Sequence, residues 1–292
     1  MGGVEAADRV ISFLPLIPGA LVGFSLGLTG GGGAIFAVPL LIYGLGVKPR
    51  DALVISMVTV GTTALVGFVQ RARRLQVEFP TGLLFAFAGM IGTPFGASLA
   101  LRLSDTALLV MLSSLMLVIA IRMWRNALPG HKELSILADE ADEADEAAEA
   151  AENEGPTCRR EPDGKLRFTS NCALLLAAIG LIAGTLTGLF GVGGGFIIVP
   201  ALVFFSNMGM QRAIGTSLLI ITIVSASAVV SHTASGNGLP MTLAGIFTLG
   251  SLMGLLAGSS LSRILPVPAL QKAFAVTLVV VAVYVGARTL LF

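Results

Sequence analysis

Apolar runs alternate with short polar stretches along this chain of 292 residues. A helix that crosses a membrane needs about 20 mostly apolar residues, and eight runs reach that length. They cover roughly 11–47, 52–70, 79–101, 105–124, 172–206, 213–235, 240–262 and 267–287. The first and fifth are too long for one straight helix, and each has a glycine cluster in its middle. We predict that these two are broken helices or helices with a re-entrant part.

The composition supports membrane burial. Hydrophobic residues make up 55% of the chain, charged residues 12%, and the mean hydropathy is +0.90, whereas soluble domains carry about a quarter charged residues. Ten of the 17 carboxylates lie between Glu133 and Glu154. The sequence therefore predicts an all-α polytopic membrane protein with about eight transmembrane segments. The net charge of +1 and the lack of a basic domain argue against nucleic-acid binding.

The two hydrophobic halves repeat each other. Residues 27–39 (GLTGGGGAIFAVP) lie over residues 188–200 (GLFGVGGGFIIVP) at an offset of 161, and Gly92 and Gly96 match Gly254 and Gly258 at 162. We predict two homologous four-segment repeats, 1–125 and 171–292, each with its first segment broken at the glycine run. An acidic polar linker, 126–170, joins them as a connector or a regulatory segment. Duplication is typical of secondary transporters, although it can also simply build a helix bundle.

The glycines fall into two kinds. Those spaced by four, such as Gly19 and Gly23, let helix backbones approach closely. The runs Gly30–Gly33 and Gly191–Gly195 should instead end a helix, because each glycine costs about 1 kcal/mol relative to alanine in a helix interior. If a helix begins after each run, its free N–H groups favour an anion. The alternative is that these glycines only permit a tight crossing.

Hydroxyls and cations supply further candidates. Ser56 and Ser217 match in the repeat, although serines in helices commonly bond back to a carbonyl. Arg71 matches His232, and these two indicate an anion-attracting vestibule or, for Arg71, ordinary anchoring. The candidate substrate-binding residues are Thr29, Gly30, Gly31, Gly32, Gly33, Ser56, Arg71, Gly191, Gly193, Gly194, Gly195, Ser217 and His232.

Other chemistry is missing from the apolar segments. No Asp or Glu lies inside one, which argues against a midplane carboxylate relay. With two histidines there is no zinc motif, so we predict neither an enzyme, nor a metal site, nor a cofactor. Cys158 and Cys172 form neither a CxxC pair nor a disulfide framework. If all eight segments cross once, 12 of 18 basic residues share one side with both termini and the linker, which predicts a cytoplasmic location for all three.

The two glycine runs, each followed by Val-Pro at 38–39 and 199–200, and their spacing to Ala213–Ser217, resemble the TauE/SafE sulfite exporter family. The likeness covers 11–125 and 172–290. It implies a multi-pass permease of the bacterial inner membrane that exports sulfite or an organosulfonate such as sulfoacetate or taurine. Alternating access is the expected mechanism, and a small-anion channel is the alternative. Proton coupling, oligomeric state and the exact substrate stay open.

Overall fold

A computed structural model describes residues 14–126, 170–206, 208–234, 241–261, 276, 279–286 and 288. Within these ranges the chain forms helices and connecting turns, with no strand. The helices are α1 (Leu16–Thr29), α2 (32–44), α3 (Pro49–Ala72), α4 (Phe79–Arg102), α5 (Asp105–Asn126), α6 (Ser170–Phe190), α7 (Gly195–Ser206), α8 (Met210–Ala234) and α9 (Met241–Leu261). A last helical stretch covers 279–286.

Five helices of the described part are long and apolar enough to cross a membrane, which supports a polytopic membrane protein. They are Pro49–Ala72, Phe79–Arg102, Cys172–Phe190, Gln211–His232 and Met241–Leu261. The first and fifth predicted segments are each two helices, α1 with α2 and α6 with α7. The second member is irregular in the first half, where a 3-10 turn (Gly32–Phe36) passes through Ala37–Pro39 into a π-helical turn (Leu40–Gly44).

The breaks lie at the glycine runs, as predicted. Gly30 ends α1 in the left-handed conformation, with φ +73°, and its N–H donates to the Leu26 carbonyl at 2.8 Å. Gly191 ends α6 in the same way, with φ +68° and a bond of 2.9 Å to the Thr187 carbonyl. Only glycine adopts this backbone conformation without steric cost. Gly30 and Gly191, which match in the repeat, therefore end their helices in the same way.

The glycines spaced by four form two tight helix seams. In α1, a methyl at Gly19 would overlap the carbonyl of Phe247 in α9. In α6, a methyl at Gly180 would lie 2.6 Å from the carbonyl of Phe85 in α4. Gly180 follows Gly19 by 161 residues and Phe247 follows Phe85 by 162, so the two seams join matching positions in opposite halves. Each half thus packs its first helix against the other half.

The contact register gives the helix directions. Along α1 and α9 the contacts advance together, from Gly19–Phe247 to Gly27–Leu255, so these helices are parallel. Thr59 and Thr63 of α3 contact residues of α9 in the same order, namely Thr248 and Ser251. The α4–α6 seam advances in parallel as well, from Phe85–Gly180 to Thr93–Gly188.

Helices α3 and α8 instead run in opposite directions. Gly61 lies against Ser225, whereas Gly67, further along α3, lies against the earlier Leu218. Helix α8 is parallel to α4, since Gly82 contacts Thr216 and Gly89 contacts Val224. Helices α1, α3 and α9 therefore run one way, and α4, α6 and α8 run the other way. Helices at matching positions of the two halves are antiparallel.

The directions define two ends of the helix bundle. We call the end where α1 and α3 begin the N-terminal face, and the opposite end, where α6 begins, the linker face. The Nε of Arg50, near the start of α3, lies 3.6 Å from the Oδ1 of Asp105, the first residue of α5. Helix α5 therefore also begins at the N-terminal face and ends at the linker face. The guanidinium of Arg288 lies 5.6 Å from the ring centre of Tyr43, at the end of α2.

This arrangement corrects the predicted distribution of chain ends. The linker (126–170) joins α5 to α6 and itself lies outside the described residues except at its ends. Those ends, Asn126 and Ser170, are at the linker face, whereas Leu16 and Arg288 are at the N-terminal face. The prediction that both termini and the linker share one side is therefore wrong. The reason is that α2 and α7 each add a reversal of chain direction, which single crossings do not contain.

Candidate functional site

The two glycine runs meet in the middle of the molecule. A Cβ built on Gly195 would lie 2.5 Å from the Cα of Gly31, and one on Gly31 would lie 2.8 Å from the Cα of Gly195. No side chain fits between these backbones. We call this contact the glycine crossing. The close approach agrees with the interpretation that these glycines permit a tight crossing.

The crossing lies halfway along the two central helices. A Cβ on Gly193 would lie 2.8 Å from Val60 of α3 and 3.3 Å from Ile221 of α8. Val60 and Ile221 are matching positions, 161 residues apart, and both are fully buried. The site walls are therefore apolar and come from both halves.

Two helices begin at the crossing, as the sequence predicts. Helix α7 begins at Gly195, and the Gly194 carbonyl accepts its first bonds from the N–H groups of Ile197 and Ile198, at 3.0 and 3.2 Å. In the first half, the Ala34 N–H donates to the Gly31 carbonyl at 3.4 Å. The first N–H groups of a helix lack intrahelical acceptors and carry the positive end of its dipole. Both positive ends thus lie at the centre.

Gly33 and Gly194 each pack against the helix that precedes their glycine run. A Cβ on Gly33 would overlap the backbone of Ser25 and Leu26, and one on Gly194, with φ +64°, would lie 2.7 Å from the Thr187 hydroxyl. Gly32 begins the 3-10 turn. Each returning helix therefore starts folded back against the helix before it.

Ser56 and Ser217 form hydrogen bonds to the glycines at which α6 and α1 end. The Ser56 hydroxyl donates to the carbonyl of Gly191 at 2.6 Å, and the Ser217 hydroxyl donates to the carbonyl of Gly30 at 2.8 Å. Ser217 also reaches the Ile214 carbonyl at 2.8 Å. Both serines are fully buried. Each half therefore fixes the helix-ending glycine of the other half, and direct substrate contact by these serines stays a prediction.

The other three candidates bond to groups outside the glycine crossing. The Thr29 hydroxyl donates to the Ser25 carbonyl of its own helix at 2.8 Å. Arg71 lies at the linker-face end of α3 and donates to the Gln211 side-chain oxygen at 2.9 Å. His232 is 3% exposed near the other end, with Nε2 2.9 Å from the Gly188 carbonyl. The matched pair Arg71 and His232 is thus divided between the two faces.

Carboxylates are remote from the centre. Those of the described ranges are Asp51, Glu78 and Asp105, and each lies at the start of a helix. In the same ranges no group of three His, Cys, Asp or Glu side chains could hold a metal ion. In the described ranges the centre is consequently a set of backbone N–H groups, hydroxyls and apolar side chains.

Sequence reasoning did not single out Ser225. This residue lies opposite Gly61 and Gly193 at the crossing, and its counterpart in the first half is Ala64, so the repeat gives it no signal. Cys172, in the first turn of α6, is buried and disulfide-bonded. The other cysteine, Cys158, lies outside the described residues.

Comparison with known proteins identifies the family. A model of the sulfite exporter TauE/SafE family matches residues 16–285. The chain belongs to this family. A probable membrane transporter protein of Xylella fastidiosa (strain 9a5c) is 30% identical over 271 residues, which are 91% of this chain and 92% of the relative. The probable membrane transporter protein YunE of Bacillus subtilis is 25% identical over 78% of this chain and 80% of its own. No solved structure matches.

Membership of this family also establishes the broad class of the protein. The relatives are named as probable membrane transporters, and five helices of the described part have the length and apolarity of membrane spans. This TauE/SafE chain is accordingly a multi-pass membrane protein of a transporter family. The names of these relatives indicate a transporter rather than an enzyme.

Proposed function

We propose that this chain is a secondary transporter that moves a small sulfur-containing anion outward across the bacterial inner membrane. The anion is sulfite or an organosulfonate such as sulfoacetate or taurine. The observation that carries the proposal is the meeting of two helix beginnings, at Gly31–Gly32 and Gly194–Gly195, midway along the central helices. The family name, sulfite exporter, supports the choice of substrate.

The chemistry of the centre fits such an anion. A sulfonate carries one negative charge spread over three oxygens, and each oxygen accepts hydrogen bonds from N–H groups. Helix beginnings bind anions because their N–H groups are free and their dipole is positive. The nearest carboxylates of the described ranges lie at helix ends, so none repels the anion at the crossing.

Alternating access is the mechanism that the helix directions favour. Matching helices are antiparallel, as expected for inverted repeats, which in many transporters enclose the substrate near the bilayer midplane. The hairpin of α1 and α2 enters from the N-terminal face, and the hairpin of α6 and α7 enters from the linker face. Withdrawal of either hairpin would open the crossing to one side only, while the other hairpin stays closed.

The linker face is the cytoplasmic side in this proposal. Six basic residues of the described ranges lie at its helix ends: Arg71, Arg73, Arg74, Arg122, Arg125 and Arg212. The N-terminal face has four: Lys48, Arg50, Arg102 and Arg288. The linker adds five more to the first group, and cytoplasmic loops are rich in Lys and Arg. The acidic linker is then cytoplasmic, and Leu16 and Arg288 lie on the outer side.

Flux in proteoliposomes tests the proposal. The purified protein is reconstituted, and uptake of sulfite, sulfoacetate, taurine, sulfate and chloride is measured with and without a pH gradient. We expect saturable counterflow for sulfite or one sulfonate, and the gradient arm reports proton coupling. Electrical current without counterflow would favour a small-anion channel, which has the same backbone-lined centre. Absence of flux for every anion would contradict the proposed function.

A further inference from the structure

Ser225 has a buried hydroxyl without a hydrogen-bond partner in the part of the chain that the structure describes. The residue lies in the middle of α8 and is 1% exposed, and its Oγ is the single buried side-chain N or O atom of the described ranges that lacks a partner. Other hydroxyls of α8 bond back to their own helix, as Thr222 does to Leu218 and Ser231 does to Ser227. Buried polar groups are nearly always satisfied, so an exception calls for an explanation.

The Ser225 side chain faces the glycine run that leads into α7. A Cβ on Gly193 would lie 3.7 Å from the Ser225 Oγ, and a Cβ on Gly61 would lie 3.8 Å from it. Both neighbours lack a side chain, and Gly193 has φ +71°, which excludes most other residues. The 12-residue helix α7 begins two residues later, at Gly195. The unpaired hydroxyl of Ser225 therefore lies close to the beginning of α7.

Resting on the proposed function, we propose that Ser225 binds the transported oxyanion directly, by donating its hydroxyl to one of the sulfite or sulfonate oxygens at the beginning of α7. A hydroxyl bond to a charged oxygen is stronger than a bond to a neutral acceptor, and the anion gives a partner to a hydroxyl that has none within the described residues. The first half has Ala64 at the matching position. Binding is thus asymmetric, with the anion nearer to α7 than to α2.

The test compares Ser225→Ala with a matched variant of the same helix. Thr222→Val also removes one hydroxyl, but that hydroxyl is bonded to the Leu218 carbonyl. Thermal unfolding of the purified full-length protein is measured without ligand and with sulfite, sulfoacetate or taurine. For Ser225→Ala we expect an unchanged or higher melting temperature without ligand, and affinity weaker by about tenfold or more. Thr222→Val should bind like the wild type.

The outcomes separate the two proposals. If the wild type binds sulfite, sulfoacetate or taurine and Ser225→Ala binds equally well, the assignment of Ser225 is overturned and the transport proposal stands. A lower melting temperature of unliganded Ser225→Ala would mean that the hydroxyl has a structural partner, which also overturns the assignment. If the wild type binds none of sulfite, sulfoacetate and taurine, the proposed function fails, and the anion assignment of Ser225 fails with it. Ser225→Cys, a weaker donor, should have intermediate affinity.

Discussion

At the scale of single residues, two physical demands select glycine at the centre. Gly193 and Gly194 have positive φ values, +71° and +64°, which strain any residue that carries a Cβ. Gly31 has no such requirement, since its φ of 168° is extended. It is glycine because its backbone touches Gly195. The runs therefore contain conformational glycines and contact glycines, which substitution distinguishes.

Gly31→Ala tests the contact requirement. The added methyl would lie 2.8 Å from the Cα of Gly195, and overpacking of this kind costs about 1–3 kcal/mol. We expect a lower melting temperature and reduced sulfite flux, measured by thermal unfolding and by proteoliposome counterflow. Gly245→Ala is the control, because a Cβ there meets nothing within 4 Å. Equal stability and flux of the two variants would contradict the tight crossing.

Ser56→Ala and Ser217→Ala test the cross-links between the halves. Each removes a buried hydroxyl that donates to a helix-ending glycine carbonyl, and a typical buried bond contributes about 1 kcal/mol. We expect both variants to lose a similar amount of unfolding free energy, measured in denaturant. Thr62→Ala is the control, since its exposed hydroxyl bonds to its own helix. A loss in only one serine variant would show that the two breaks are not equivalent.

At the scale of helices, the halves exchange partners through the small-residue seams. The four-residue spacing of glycines predicted close helix packing, and the seams confirm it. The spacing does not say which helix is the partner, because any apolar helix can accept a glycine face. The fold pairs α1 with α9 and α6 with α4, so each hairpin rests on the opposite half.

Deletion of 136–154 tests the linker as an element. Most of its residues are Ala, Glu and Asp, a composition that cannot bury apolar surface, so we expect no contribution to the transport path. Sulfite counterflow of the deletion variant should equal that of the full chain, measured at equal amounts of reconstituted protein. Loss of flux in a deletion variant that remains monodisperse and keeps its melting temperature would contradict the connector interpretation and indicate a regulatory segment.

At the scale of the whole molecule, the number of chain reversals decides which loops share a face. Each half enters with a hairpin and continues with helices that alternate in direction, so the second half begins at the opposite face from the first. The basic residues favour a cytoplasmic linker face.

Cysteine labelling of intact cells tests the topology and the orientation together. In a chain with both native cysteines replaced by serine, Lys48→Cys reports the N-terminal face and Leu75→Cys reports the linker face. Leu75 is 89% exposed. A membrane-impermeant maleimide should label only one of the two, and the charge bias predicts that it is Lys48→Cys. Labelling of Leu75→Cys alone would reverse the orientation, and labelling of both would contradict the antiparallel arrangement of the halves.

The sequence by itself determined the membrane class, the family, the positions of the helix breaks and the matched pair Ser56 and Ser217. These depend on local properties, namely apolar run length, the cost of glycine in a helix and the identity of residues at a fixed offset. The tertiary structure decided that α2 and α7 turn back, that each serine bonds to the other half, and that Ser225 is left unpaired. These depend on which residues meet across the fold, and such contacts are not fixed by spacing along the chain.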